Sequence, residues 1–290
     1  MSLASEPCFA DRAICMSGQV IENVQLAQAT FRVRLACPEI AARIVPGQFV
    51  MLRLAGRNDP LLGRPLALYD TVLDEAGRPW GIDVVYLVVG RMTGQLAAVR
   101  PGDRLDVWGP LGNGFAPRDC GRLLMVAGGI GQTPFLAVAR EALGQRRYGG
   151  EPRREAQVGS VSLCYGARSA AYLAGVDDFR DLGIDIHLST DDGSAGRAGF
   201  VTALVEELLA AEQETATEIV CCGPEPMMAA VARLAGGRGV PCRVSLETPM
   251  ACGIGICFSC VARVRDGDDG WDYRRTCVEG PVFDAGALCW

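Results

Sequence analysis

The 290-residue chain contains no lysine: all 28 of its basic residues are arginine. That absence excludes Schiff-base catalysis by a lysine amine and the lysine-dependent phosphate grip of Walker-type loops. Histidine is nearly as scarce, and a single His187 rules out any multi-histidine metal centre. It lies in the apolar run Ile184–Leu188, where a strand position is expected rather than a catalytic one, because no nucleophile signature accompanies it. No apolar run reaches the roughly 18 residues of a transmembrane helix. Residues Met1 to Ala13 carry Glu6 and Asp11 and no apolar signal core, so the expected compartment is the cytoplasm. A net charge of −6 without extended basic runs makes nucleic acid an unexpected partner, and no membrane partner is expected either.

Cysteine, in contrast, is abundant, with 13 residues. Four of them, Cys252, Cys257, Cys260 and Cys277, follow the spacing C-x4-C-x2-C-x16-C. This is the plant-type pattern in which four thiolates hold a [2Fe–2S] cluster; a structural zinc knuckle would favour a second C-x2-C pair, which is missing. Gly253 and Gly255 allow the backbone between the first two thiols to curl and aim N–H groups at sulfur. Cys8, Cys15, Cys37, Cys120, Cys164, Cys221, Cys242 and Cys289 lack metal spacing, and most are expected to be small buried hydrophobes. With side chains this limited, hydride and electron chemistry must come from cofactors.

The length suits two or three domains, and three patterns divide the chain. From residue 17 to 116, short strands such as Phe31–Leu35, Phe49–Leu54 and Asp83–Val89 alternate with Gly/Pro turns, which predicts an antiparallel β-barrel. From 117 to 239, strands at Leu123–Ala127, Ser160–Tyr165, Ile184–Ser189 and Ile219–Cys222 alternate with helices, one following Pro134 and others near Thr202–Glu212 and Glu225–Leu234. That alternation predicts a parallel α/β nucleotide-binding domain. Residues 240–290 form a small cysteine-rich third unit. The Gly/Arg-rich stretch Gln145–Gln157 reads as a polar loop.

Several turns carry chemistry. Gly128-Gly129-Ile130-Gly131-Gln132-Thr133-Pro134 joins a strand to a helix, the place where backbone N–H groups can meet a pyrophosphate. An ordinary tight turn is the alternative, since Pro134 stands at the third glycine position. Cys222-Gly223-Pro224 ends another strand with a sharp turn that can bring backbone and thiol near a ligand, or can be a plain connection. In the barrel half, Arg64-Pro65-Leu66-Ala67 offers a planar guanidinium fork beside a fixed backbone, and Gly90–Gln95 is a second candidate phosphate turn. Arg168 and Ser169 follow the second strand of the α/β unit, where an adenosine ribose is expected; an arginine there accommodates a 2′-phosphate, unless it pairs with Asp177 or Asp178.

In this order, the motifs resemble the ferredoxin-reductase superfamily, and within it the electron-transfer subunits of class B dihydroorotate dehydrogenases, over about Gln19 to Phe283. The resemblance implies FAD at Arg64, Pro65, Leu66 and Ala67, at Tyr86, Leu87 and Val88, and at Met92 and Thr93. It implies NAD at Gly129, Gly131, Thr133, Cys222, Gly223 and Pro224, and a [2Fe–2S] cluster on Cys252, Cys257, Cys260 and Cys277. Ala67 stands where the family has serine, and Met92 where a glycine is common. The implied activity is a relay from the FMN of a catalytic dihydroorotate dehydrogenase subunit, in a heterotetramer of two of each chain, through the cluster and FAD to NAD⁺. The alternative is the small subunit of an NADH-dependent ferredoxin:NADP⁺ oxidoreductase or sulfide dehydrogenase.

Overall fold

Strict alternation in Phe49–Leu54 puts Val50, Leu52 and Leu54 into one core and Phe49 and Met51 into another. Both faces are buried, and this strand is the hinge of the architecture. The computed structural model describes residues 9–151, 153–211, 215–267 and 270–290, so Cys8 lies outside the described residues.

Six strands close the first unit: β1 (Ile14–Ala27), β2 (Thr30–Ala36), β3 (Phe49–Leu54), β4 (Arg64–Leu73), β5 (Pro79–Leu87) and β6 (Arg104–Leu111). They form an antiparallel barrel in the order β1-β2-β5-β4-β3-β6, and closure leaves no strand edge unpaired. Val20, Val33, Leu35, Leu52, Leu68, Ile82, Val84 and Val107 fill its interior. Three strands are plain in the sequence; β1, β4 and β6 are less so. β1 carries two register irregularities that break its alternation, and β4 begins with Pro65 close to its start, where a missing donor is tolerated. Two short helices, α1 (Pro38–Ala41) and α2 (Arg91–Leu96), cover the barrel.

The second unit is a seven-stranded sheet, six of whose strands are parallel: β7 (Cys120–Gly128), β8 (Val158–Ala167), β9 (Asp185–Thr190), β10 (Arg197–Ala198), β11 (Thr217–Cys222) and β12 (Cys242–Ser245). Helices α3 (Phe135–Ala142), α4 (Val176–Arg180), α5 (Val201–Ala211) and α6 (Glu225–Gly236) accompany it. His187 lies on β9, as expected of a strand residue. The cysteine-rich segment adds a hairpin, β13 (Val261–Asp266) with β14 (Gly270–Arg275), and then returns to the sheet. Its last strand, β15 (Val282–Asp284), pairs antiparallel with β12, so residues 242–245 and 282–284 are hydrogen-bonded into the nucleotide sheet. Buried thiols behave as small hydrophobes at Cys37, Cys164, Cys221 and Cys242, whereas Cys15 is exposed on β1. Among the described residues no helix is long and apolar enough to cross a membrane.

The two large units are joined at three consecutive residues of β4. Tyr69 Oη donates to Asp178 Oδ2 at 2.5 Å, and the Thr71 carbonyl accepts from Arg146. Between them, the buried Asp70 carboxylate takes Arg140 Nε at 3.2 Å, Arg146 Nη1 at 3.0 Å and the Tyr148 hydroxyl at 2.7 Å. Burial pushes the Asp70 carboxyl up, and the two guanidiniums oppose that shift. Removing one member of a buried ionic group strands the others, so Asp70→Asn is expected to lower unfolding stability by about 3 kcal/mol. Urea unfolding monitored by circular dichroism reads this directly. Asp59→Asn, which removes an exposed partner of Arg91, should change stability by less than about 1 kcal/mol.

Candidate functional site

The cysteine loop lies on the outer face of β3 and β6. Phe49, Met51 and Leu111 pack there against Met250, Cys260, Cys277 and Val278, with Trp108 alongside. Gly253 makes the fit possible: its φ is +75°, and a Cβ there would come within 2.6 Å of Met51 Cγ. Trp108 Nε1 donates to the Cys252 carbonyl at 2.9 Å. Asn113, just beyond β6, binds the other side of the segment by donating to Val282 O and accepting from Val282 N. Neither Trp108 nor Asn113 carries a motif that sequence reasoning could have used; their partners are more than 140 positions away.

Cys252, Cys257 and Cys260 lie in this loop and Cys277 follows the β13–β14 hairpin; all four are free thiols. Cys260 Sγ and Cys277 Sγ are 3.2 Å apart, close enough to face one iron, and Cys252 interacts with Cys257. Among the described residues no three His, Cys, Asp or Glu side chains gather at the spacing of a single ion. Two thiol pairs rather than one mononuclear cage fit the donor set of a two-iron cluster. The loop also supplies a donor to sulfur: Ile254 N–H points at Cys252 Sγ at 3.4 Å, and the Ser259 hydroxyl, which donates to the Pro249 carbonyl, lies 3.1 Å from Cys257 Sγ. The Ser259 hydroxyl holds the Cys257 thiol down at about 6, while burial pushes Cys277 up to about 12.

The arginine motif lies on β4, which is hydrogen-bonded to β3 along the edge away from β6. Arg64, Pro65, Leu66 and Ala67 open β4 and pair with Leu52, Met51, Val50 and Phe49; all four are half-buried. Arg64 Nη1 donates to the carbonyls of Leu62 and Gly63. Among the described residues its Nε and Nη2 have no partner, which leaves part of the fork for an anion, as a flavin phosphate requires. Tyr86, Leu87 and Val88 lie at the end of β5. The Tyr86 side chain turns into the barrel core, stacks on Phe31 and donates to Asn23. Gly90–Gln95 opens α2, with Gly90 at its N-cap. Met92 is buried in the barrel core, and the Thr93 hydroxyl accepts from Val89 N–H and Gly90 N–H, so both side chains serve this corner of the fold.

The two glycine turns meet at the C-terminal edge of the parallel sheet, because β7 and β11 are neighbours. Gly129 adopts φ +55°, and Gly131 sits so close to the second turn that a Cβ would lie 2.2 Å from the Cys222 carbonyl oxygen. Gly223 similarly abuts the Gly128 backbone. Thr133 is buried behind the turn, Pro224 precedes α6, and desolvation pushes the Cys222 thiol up to about 12. Backbone packed this tightly without side chains forms a cradle at the sheet edge where α/β folds bind dinucleotides. Arg168 is exposed with its guanidinium over the Tyr172 ring at 5.8 Å. It does not pair with the expected carboxylates: Asp177 is taken by Arg180 and Asp178 by Tyr69.

Residues 247–289 match the iron-sulfur cluster binding domain of dihydroorotate dehydrogenase B, and residues 125–233 match the oxidoreductase NAD-binding domain. A dihydroorotate dehydrogenase B (NAD(+)) electron transfer subunit of Caldanaerobacter subterraneus subsp. tengcongensis is 33% identical, over 92% of this chain and 96% of the relative. The corresponding subunit of Geobacillus kaustophilus is 37% identical over 91% of this chain and 94% of its own. The chain belongs to the dihydroorotate dehydrogenase B electron transfer subunit family. Among solved structures, an NADH-dependent reduced ferredoxin-NADP oxidoreductase superposes with a TM-score of 0.77 at 30% identity, covering 94% of this chain and 90% of that one. A ferredoxin reductase of carbazole 1,9a-dioxygenase, at 24% identity and a TM-score of 0.62 over 79% of this chain and 67% of that one, shares the fold.

Anaerobically purified protein is expected to hold about two irons and two labile sulfides per chain. Cys257→Ser should lose most of this iron, and Cys164→Ser, buried in the sheet core, should retain it; colorimetric iron and sulfide assays on both variants make the comparison.

Proposed function

We propose that this chain is the electron-transfer subunit of a dihydroorotate dehydrogenase, passing electrons from the FMN of a catalytic subunit to NAD⁺ in pyrimidine biosynthesis. The observation that carries the reading is a shared pair of strands: Met51 pairs with Pro65 of the arginine motif and touches Gly253 of the cysteine loop. A flavin site and a cluster site on neighbouring strands, with a dinucleotide cradle locked to β4, is the layout a relay needs.

When bound, FAD exchanges a hydride with the nicotinamide and single electrons with the [2Fe–2S] cluster. The chain's own residues position these partners. Cys252, Cys257, Cys260 and Cys277 would hold the irons, Ile254 N–H donates toward the Cys252 sulfur, and the Ser259 hydroxyl lies beside that of Cys257. The Arg64 fork would take a flavin phosphate, Pro65, Leu66 and Ala67 would contribute the adjoining stretch of β4, and the end of β5 at Tyr86–Val88 would offer backbone. Gly129, Gly131, Thr133 and the Cys222–Pro224 turn cradle the nicotinamide dinucleotide. The catalytic partner completes a heterotetramer of two of each chain. Free thiols throughout the described chain suit the reducing cytoplasm. The co-purified complex should reduce NAD⁺ on addition of dihydroorotate; an inactive complex with full flavin and iron would count against this partner.

The second reading, the small subunit of an NADH-dependent ferredoxin:NADP⁺ oxidoreductase, is favoured by the high structural similarity to that enzyme and by Arg168, which no carboxylate neutralises among the described residues. NAD is proposed here because the curated relatives carry NAD(+) in their names. Stopped-flow reduction of the flavin is expected to be faster with NADH than NADPH and to change less than about three-fold in Arg168→Ala, since an exposed side chain is involved. A preference for NADPH that disappears in Arg168→Ala would select the second reading. Arg64→Ala is expected to release FAD on gel filtration while keeping its iron, because the fork is on β4 and the thiols are in the separate cysteine segment. Release of FMN, or no flavin in the parent protein, would overturn the barrel assignment.

A further inference from the structure

Besides Met51, one further side chain joins the arginine motif to the cysteine loop. Trp108 lies opposite Met51 in the β6–β3 register, and Met51 lies opposite Pro65 in the β3–β4 register, so the three form one row across the barrel wall. At one end of the indole, a Cβ on Gly63 would lie 2.7 Å from Trp108 Cη2 and 2.9 Å from the Leu52 carbonyl oxygen. Gly63 is the residue immediately before Arg64, and its carbonyl accepts from Arg64 Nη1 at 3.0 Å. At the other end, Trp108 Nε1 donates to the Cys252 carbonyl at 2.9 Å. A rigid planar side chain therefore touches the entry to the arginine motif and the backbone of the first ligand cysteine at once. Glycine at position 63 is what lets the ring lie this close.

We propose that Trp108 is a positioning residue: its indole sets the place of the Cys252 arm of the cluster loop relative to the Gly63–Arg64 turn of the flavin strand. This rests on the function proposed above. The ring does not contact the predicted sulfur ligands through a titrating or redox group; it acts through the carbonyl of Cys252, as outer-shell hydrogen bonds orient metal ligands. Its flatness and single donor fix both distance and direction, which a flexible residue of similar volume would not.

The test is a double-mutant cycle of Trp108→Phe and Gly63→Ala in the full, anaerobically purified chain. Trp108→Phe keeps an aromatic ring on β6 but removes the donor to Cys252. Gly63→Ala presses a methyl group on the far edge of the ring and on the Leu52 carbonyl oxygen, and only the first of these contacts is lost in Trp108→Phe. Amide hydrogen exchange of residues 252–260 is expected to speed up about five-fold in Trp108→Phe, the loss of one ordinary hydrogen bond. Iron transfer to a chelator should quicken about ten-fold, as for other second-layer changes around metal ligands. Gly63→Ala should alter the visible circular dichroism of the cluster in the parent protein and alter it clearly less when added to Trp108→Phe, because the indole transmits the larger part of the displacement. Unchanged exchange in Trp108→Phe, or an equal Gly63→Ala effect in both backgrounds, overturns the proposal. Zinc in place of iron and sulfide in the parent protein would instead defeat the functional reading, while the exchange comparison on the loop would still decide the role of Trp108.

Discussion

The buried carboxylate of Asp70 holds the molecule's two large units in one arrangement. It belongs to β4, the strand that opens with Arg64-Pro65-Leu66-Ala67, and it draws Arg140 of α3, Arg146 and Tyr148 onto the barrel. An ionic group of this kind adds little net stability over a well-packed apolar one, since desolvation offsets most of the attraction. Its value is specificity: two guanidiniums and a phenol converge on one carboxylate in only one relative orientation of the domains. The helix that carries Arg140 also begins at the glycine turn of the nucleotide cradle. Whatever lies on the arginine motif is thereby placed at a set distance from whatever lies in the cradle.

A second constraint acts on the opposite side of the barrel wall. A strand with one solvent face would alternate apolar and polar residues, yet β3 is apolar on both faces because the cysteine loop covers the outer one. Gly253 permits that contact, Trp108 and Asn113 bind it, and β15 ties the segment's end into the nucleotide sheet. The cysteine segment is therefore not an appendage but a wedge held by both larger units. For a single-electron carrier this matters, because a fixed separation between centres is what the protein can contribute to a relay.

The parts legible in the sequence are those whose chemistry is local. Four thiols within a 26-residue window announce their role by spacing, and the glycine turns announce theirs by lying between a buried strand and a helix. The parallel sheet was readable from Leu123–Ala127 and its successors because buried strands are nearly continuous apolar runs. Long-range polar contacts were not readable. Asp70 looks like any turn-proximal acid until residues some 70 positions away fold against it, and Trp108 shows no sign of its carbonyl partner in Cys252. The fate of Arg168 was likewise hidden: its guanidinium lies over the Tyr172 ring, while its candidate carboxylates are engaged by Arg180 and Tyr69.

The central claim is that one chain couples a nicotinamide cradle, a flavin strand and a cluster loop into a continuous relay. Anaerobic titration of the isolated chain with NADH, followed by absorbance and electron paramagnetic resonance, addresses it most directly. The account predicts uptake of about three electrons per chain, two by the flavin and one by the cluster, with the cluster signal appearing without any partner subunit. A fully loaded chain whose flavin bleaches while its cluster stays oxidised would contradict it.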